Sequence, residues 1–308
     1  MPDTYDLVII AGPTAVGKTA LGIRVAHHLN GEIISADSRQ IYRYLDIGTA
    51  KPTPQEQAAV FHHQIDIVSP DQSYDAAQFA TDSHRIIDQL RKRSKTPVIV
   101  GGSGLYIRAL IEGFFSGPPA DPEIRNKLKN LPLASLYDQL RQVDPPSAAR
   151  IHPHDRKRLV RALEVYHGTG KTLTAWHTEH QAQSNPRYDP LFIGLTRDRA
   201  ALYQRIELRV DQMIEMGLFD EVQSILDHGF SPDLNALNTI GYKESIAYLQ
   251  GRISQTDAVN QIKQNSRRYA KRQLTWFRAN PRIQWLDVGE QSSADICAEI
   301  LHLWEHPR

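Results

Sequence analysis

The apolar positions follow two rhythms that alternate along the chain. Short unbroken runs at Leu7-Val8-Ile9-Ile10, within residues 32–37, at Val98-Ile99-Val100 and at Leu191-Phe192-Ile193-Gly194-Leu195 predict buried strands. Between them, residues 20–29 and 76–93 read as helices, the second with Phe79, Ile86, Ile87 and Leu90 as its apolar positions. A further helix resumes over 105–111, after Gly101-Gly102-Ser103-Gly104. Strands alternating with helices predict an α/β fold, a parallel sheet with helices on both faces. The alternation stops between about 113 and 189. That segment opens on Gly117-Pro118-Pro119-Ala120-Asp121-Pro122, closes on Ser184-Asn185-Pro186, and carries helical patterns over 133–143 and 156–167. It reads as a helical insertion. The expected division is a core of residues 1–113 and 189–308 around an insertion of 114–188. After the strand at 191–195 the pattern turns helical over 199–216, 219–228, 242–250 and 256–277. Trp285-Leu286-Asp287-Val288 is expected to be a last strand.

The first strand runs into Gly12-Pro13-Thr14-Ala15-Val16-Gly17-Lys18-Thr19, and a helix follows. Strand, G-x-x-x-x-G-K-T, helix is the arrangement of a phosphate-binding loop, which makes the core P-loop NTPase-like. Its glycines permit backbone angles that bring amide N–H groups to an anion, and the helix dipole favours that charge. Lys18 can place a point charge on the distal phosphate, and the Thr19 hydroxyl can ligate Mg²⁺. The loop implies a diphosphate or triphosphate, without specifying a nucleotide or hydrolysis. In open parallel sheets ligands sit at the carboxyl ends of the strands, so Gly12, Asp37 and Gly101 are expected to line one crevice. The strand ending in Gly101-Gly102 lacks the acid that a kinase or ATPase usually supplies there; the acid stands after the second strand, at Asp37. An acid facing a phosphate loop is placed to take a proton from an incoming nucleophile. The alternative for Asp37 is capping of a following helix.

The chain has 308 residues, 41% hydrophobic and 23% charged, with a formal net charge of +1, so its average carries no sign of a nucleic-acid binder. Cys297 is the single cysteine, which excludes an intrachain disulfide and a cysteine-based zinc site. The start of the chain does not read as a signal peptide and no apolar run approaches spanning length, so a cytoplasmic protein without a membrane partner is expected. Two stretches depart from neutrality. The first holds Arg150, His152, His154, Arg156, Lys157, Arg158, Arg161 and Lys171 against Asp155 and Glu164; the second runs from Lys263 through Arg267, Arg268, Lys271, Arg272, Arg278 and Arg282 without an acid. Tyr269, Trp276 and Phe277 are interleaved with the second. Basic residues with aromatics suit looped RNA, while a solvated helix face with Trp276 and Phe277 in the core is the plainer reading. His62-His63 near Asp66, and His152 near His154, match no zinc spacing and read as structural or RNA-facing.

Several blocks together resemble the tRNA dimethylallyltransferases (tRNA isopentenyltransferases): the phosphate loop, Ile34-Ser35-Ala36-Asp37-Ser38-Arg39-Gln40-Ile41-Tyr42, Gly48-Thr49-Ala50-Lys51-Pro52 and Val100-Gly101-Gly102-Ser103-Gly104-Leu105-Tyr106. So do Arg158-Leu159-Val160-Arg161-Ala162-Leu163-Glu164-Val165, Gly241-Tyr242-Lys243-Glu244 and Lys271-Arg272-Gln273-Leu274-Thr275-Trp276-Phe277-Arg278. Departures are minor: Val16 where the family often has a small polar residue, and Ser103 where it often has threonine. The resemblance implies transfer of a dimethylallyl group from dimethylallyl diphosphate to N6 of the adenosine just 3′ of the anticodon, with Mg²⁺ as cofactor and ATP as a possible competitor for the loop. It implies Asp37 as base, with Lys18, Thr19 and Arg209 on the diphosphate. Arg205 is the rival for that last role. It further implies tRNA contacts from Asp37, Ser38, Arg39, Gln40, Ser103, Arg125, Lys157, Arg158, Arg161, Gly241, Tyr242, Lys243, Lys271, Arg272, Gln273, Trp276 and Arg278. The partner would be the anticodon stem-loop, and the enzyme is expected to be a monomer. A small-molecule P-loop kinase and a non-catalytic RNA-binding switch are the competing classes.

Overall fold

The computed structural model describes residues 4–113, 121–183, 187–289 and 291–307. The proline-rich opening expected at 117–120, the closing Ser184-Asn185-Pro186 and the first three residues lie outside them. In chain order the elements are β1 (Leu7–Ala11), α1 (Lys18–His28), β2 (Gly31–Ala36), α2 (Pro54–Ala59), β3 (His62–His63), α3 (Ala76–Lys92), β4 (Thr96–Gly101) and α4 (Gly104–Glu112). Then come α5 (Pro122–Lys129), α6 (Leu133–Val143), α7 (Pro145–Arg150), α8 (Arg156–Thr169) and α9 (Leu173–Gln183). The chain ends with β5 (Pro190–Thr196), α10 (Arg199–Glu215), α11 (Leu218–Asp227), α12 (Tyr242–Leu249), α13 (Gln255–Arg278), β6 (Gln284–Asp287) and α14 (Ser293–Glu305). Two compact units result, Met1–Ile111 with Arg187–Arg308, and Glu112–Pro186.

The first unit is built on a sheet of order β3-β2-β4-β1-β5-β6, with parallel pairing throughout. Strand residues alternate between two buried faces, which is why the runs read as continuously apolar. Val8 and Ile10 pack with Leu21 and Val25 of α1 and Ile296 and Ile300 of α14. Leu7 and Ile9 pack on the other face with Phe79 and Leu90 of α3 and Ile107 and Leu110 of α4. Gly101 pairs with Ala11 on one side and Ala36 on the other, so the carboxyl ends of β1, β4 and β2 are level. A third cluster joins Ile41, Tyr42 and Leu45 to α10, α11, α12 and α13, with Val210, Val222, Ile246 and Ile262 at its centre.

The pattern of apolar residues did not predict β3, a two-residue edge strand with little room for a periodic signal. It carries His62 and His63, and Glu32 Oε2 lies 2.8 Å from His63 Nε2. His63 therefore has a structural partner, whereas His62 lines the cavity described below. Burial alone would raise the Glu32 pKa, but hydrogen bonds from His63 and Arg93 bring it below the usual carboxylate range.

The second unit, α5 to α9, has its own core of Leu128, Leu136, Leu140, Leu159 and Leu163. Aspartates start three of its helices: Asp121 accepts from two α5 amides, Asp144 from Ser147 of α7, and Asp155 from Arg158 of α8. Asp144 also accepts from the Thr174 hydroxyl at 2.6 Å, which ties α7 to α9. Glu164, 2% exposed, is met by Arg125 and Arg161 at 2.9 Å each and by the Asp121 amide. Arg125 and Arg161, expected to contact tRNA, also neutralise a buried carboxylate, a demand that a surface reading of the charges does not reveal. Lys157 and Arg158 on the same helix are exposed.

Candidate active site

The level strand ends place the loops after β1, β2 and β4 around a cavity of about 420 Å³. Thr14, Ala15, Lys18 and Thr19 line one side of it, and Asp37, Ser38, Arg39 and Gln40 another. Gly101 and Gly102 lie at its base, and α10 and α13 add Arg209, Tyr269, Arg272 and Gln273. The expectation that Asp37 and Gly101 share a crevice holds. Gly12 does not line the cavity, and neither do Pro13, Val16 and Gly17. Val16 is 1% exposed and belongs to the hydrophobic core.

The loop is built to receive an anion. Gly17 precedes α1 at φ 114°, a conformation that favours glycine, and α1 has neither a capping side chain nor an acid in its first turn. Its first amides and its dipole are thus left to a ligand. Lys18 Nζ donates to the Pro13 carbonyl at 2.7 Å. Burial, reinforced by the nearby Arg209 guanidinium and opposed by Asp37, brings the Lys18 pKa down to about 7. Burial and Arg205 likewise lower the pKa of Arg209. Lys18, Arg39, Arg209, Lys243 and Arg272 line the cavity against the single carboxylate of Asp37, an excess of positive charge that suits an anionic ligand.

The geometry separates the two arginines that the sequence left as rivals. Arg205 Nε donates to the Ala15 carbonyl at 3.0 Å and holds the loop from outside, whereas Arg209 lines the cavity. Asp37 follows β2 directly, and its Oδ1 accepts from the Arg39 amide at 2.8 Å. Turns rather than a helix follow it, so Asp37 is not a helix cap. It lines the same cavity as Lys18 and Arg209, near enough to Lys18 to favour its charged form.

The expected RNA-contacting residues divide by environment. Ser38, Arg39, Gly241, Lys243 and Arg272 line the cavity. Arg39 also donates to the Asn235 carbonyl, and Arg272 lies over the Tyr269 ring. Lys271 and Arg278 are exposed on α13. Ser103 Oγ accepts from the Ser38 amide and ties two strand ends together. Gln40 is already committed, linking Ser35 to the carbonyls of Thr49 and Ala50. Tyr242 is fully buried with its hydroxyl on Glu221 at 2.6 Å, so its side chain offers no face to RNA. Gln273 is 6% exposed and bonds to protein backbone. Packing takes the Tyr242 side chain away from any ligand, while Gln40 and Gln273 line the cavity with protein partners in place. Trp276, expected in the core, is 40% exposed with Arg108 over its ring, while Phe277 is buried as expected.

Sequence reasoning missed Tyr269 as a cavity residue and Glu221 as the brace of the neighbouring loop. Burial, with Asp37 nearby, pushes the Tyr269 phenol up to about 12, so it stays a hydrogen-bond donor at neutral pH. Glu221 accepts from the amides of Asp46, Ile47 and Gly48. The helical run around each carried no sign of these distant partners. For a metal, the described residues contain no cluster of three or more His, Cys, Asp or Glu side chains. A single hydroxyl at Thr19 beside a phosphate site nonetheless suits Mg²⁺, which keeps its waters and takes oxygens from a phosphorylated substrate. None of the described helices is long and apolar enough to cross a membrane.

The model of one protein family, described as IPP transferase, matches residues 40–280 of the chain. A tRNA dimethylallyltransferase of Carboxydothermus hydrogenoformans is 49% identical over 96% of this chain and 96% of its own length. One from Syntrophobacter fumaroxidans is 47% identical over 92% of this chain and 84% of its own. Among solved structures, a tRNA isopentenylpyrophosphate transferase of Bacillus halodurans superposes with a TM-score of 0.73 at 41% identity, over 98% of this chain and 97% of that one. A eukaryotic dimethylallyltransferase captured acting on tRNA gives a TM-score of 0.80 at 28% identity, over 96% of this chain and 77% of that one.

Proposed function

The chain belongs to the IPP transferase family, whose relatives are tRNA dimethylallyltransferases, and from that premise we propose how it prenylates tRNA. The donor is dimethylallyl diphosphate. The acceptor is N6 of the adenosine just 3′ of the anticodon. The bond between N6 and the allylic C1 forms as the C1–O bond breaks, diphosphate leaves, and the N6 proton passes to Asp37. The observation that carries this reading is one cavity lined by a carboxylate, Asp37, a phosphate loop and two half-buried cations, Lys18 and Arg209.

The adenine amine is a poor nucleophile because its lone pair is delocalised into the ring. Asp37 orients it and accepts its proton. The departing diphosphate gathers charge, which the α1 amides, Lys18 and Arg209 stabilise in a site fixed before reaction. Arg209 is the clamp because it lines the cavity while Arg205 is engaged with the Ala15 carbonyl. Thr19 is the residue to hold Mg²⁺, which supplies further charge to offset that of the diphosphate when bound. The target base leaves the anticodon stack to enter the cavity, where Ser38, Arg39 and Arg272 line its path. Residues 114–188 form the tRNA-binding insertion, with Lys157 and Arg158 exposed on α8; in the core, Lys271 and Arg278 are exposed on α13.

The test is transfer of label from dimethylallyl diphosphate to unmodified tRNA, with and without Mg²⁺. Label should appear on the adenosine beside the anticodon. Asp37→Ala should lower turnover by roughly 10²-fold or more while tRNA affinity stays within a few-fold. Normal turnover at saturating tRNA would remove Asp37 as the base. Transfer of the ATP γ-phosphate to a small molecule instead would mean that the site takes a different donor.

A further inference from the structure

We propose that Gln273 is a positioning residue of the donor site: its side-chain amide, delivered by α13, holds the phosphate loop in its anion-binding form. The inference rests on reading the loop as a diphosphate site. Gln273 Oε1 accepts from the Thr14 amide at 2.9 Å, and Gln273 Nε2 donates to the Gly102 carbonyl at 3.0 Å. One planar group thus bridges the loop after β1 and the end of β4, 259 and 171 residues away in sequence. The approach is close: a Cβ on Gly102 would stand 2.2 Å from Gln273 Nε2, so the amide would have to move aside.

The peptide group that Gln273 grips explains its importance. The Pro13 carbonyl and the Thr14 amide belong to the same peptide plane. Lys18 Nζ holds the carbonyl end at 2.7 Å, and Gln273 holds the amide end. A bound diphosphate competes with the Pro13 carbonyl for the Lys18 ammonium, because the phosphate carries more charge. Gln273 is then the side chain that still fixes the plane. Thr14 N–H is taken up by this contact, so the amides left for the anion are those further along the loop and at the start of α1. Their direction follows from the plane that Gln273 sets. The helix that presents Lys271 outward therefore also sets the donor loop inward.

The measurement is the affinity for inorganic diphosphate with Mg²⁺, by calorimetry, in the wild type, Gln273→Met, Gly102→Ala and the double variant. Affinity for tRNA is measured beside it. Met keeps the bulk of the side chain and removes both hydrogen bonds. Gly102→Ala leaves Gln273 in place and pushes its amide aside. Each single variant should weaken diphosphate about tenfold or more, the value of roughly one or two hydrogen bonds. The Gly102→Ala effect should vanish in the Gln273→Met background, because both act through one contact. The KM for the donor should rise while tRNA affinity stays within about twofold. Diphosphate binding unchanged in Gln273→Met would overturn the proposal. So would a parallel loss of tRNA affinity, which would make Gln273 a support of α13 and not of the loop. If the wild type binds diphosphate but transfers no prenyl group to tRNA, the function reading fails while the Gln273 assignment is still decided by the binding series.

Discussion

Lys18 is the residue at which the site's chemistry and its measurable consequences meet. The unfolded chain keeps the Lys18 proton up to its ordinary value of 10.5, while the folded empty site releases it near 7. Between those values the unfolded state binds more protons, so Lys18 makes folding stability rise with pH across that window. A bound diphosphate reverses the local balance and pulls the Lys18 pKa back up. At about pH 8 the binding of dimethylallyl diphosphate should therefore take up a proton, visible as an enthalpy that varies with the buffer's own ionisation heat. Affinity should fall as pH rises above 7. Lys18→Met should abolish both effects; proton uptake that persists in Lys18→Met belongs to another group. The identity of Lys18 was legible in the G-x-x-x-x-G-K-T spacing. Its lowered pKa was not, because Arg209 is remote in sequence and burial is a property of the folded chain.

At the scale of elements, α13 turns different side chains to two environments. Gln273 and Phe277 are buried, and Lys271, Arg272 and Arg278 are exposed. The run of basic residues was plain in the sequence and the helix was predicted nearly to its ends. The core reading failed at Trp276, whose exposure instead agrees with its place among the expected RNA contacts, because a helix packed by several neighbours has no single apolar stripe to read. The exposed cations are the ones available to phosphate. Lys271→Gln with Arg272→Gln should weaken tRNA binding and reduce the steepness of its salt dependence by about 0.7 for each phosphate of a single-stranded loop that is no longer neutralised. An unchanged slope would show that neither side chain meets a phosphate. The same element-scale lesson holds in the second unit. There α8 spends Arg161 on Glu164, leaving Lys157 and Arg158 outward.

For the whole molecule, the sheet decides where everything converges. β1 lies between β4 and β5, and the cavity lies where the chain ends of β1, β4 and β2 come level. The helices after β5 then complete the cavity with Arg209 and Tyr269. A donor that occupies this cavity stabilises the folded molecule by mass action, near 2.7 kcal/mol at roughly a hundredfold excess over its dissociation constant. Dimethylallyl diphosphate with Mg²⁺ should raise the melting temperature more than ATP at equal concentration. A larger shift with ATP would favour the kinase class.

The sequence by itself determined the α/β class, the phosphate loop, the acid at the end of β2 and the basic helices. Each of these is written in local order: an apolar run, a glycine spacing, an acid at a strand end, a cluster of like charges. Tertiary structure alone decided that Arg209 faces the cavity while Arg205 braces the loop, that Tyr242 and Gln40 are spent internally, and that Gln273 reaches Thr14. Those outcomes depend on which side of a helix meets a partner one or two hundred residues away. The periodicity of a short segment carries the face of a helix, but not the identity of what will pack against it.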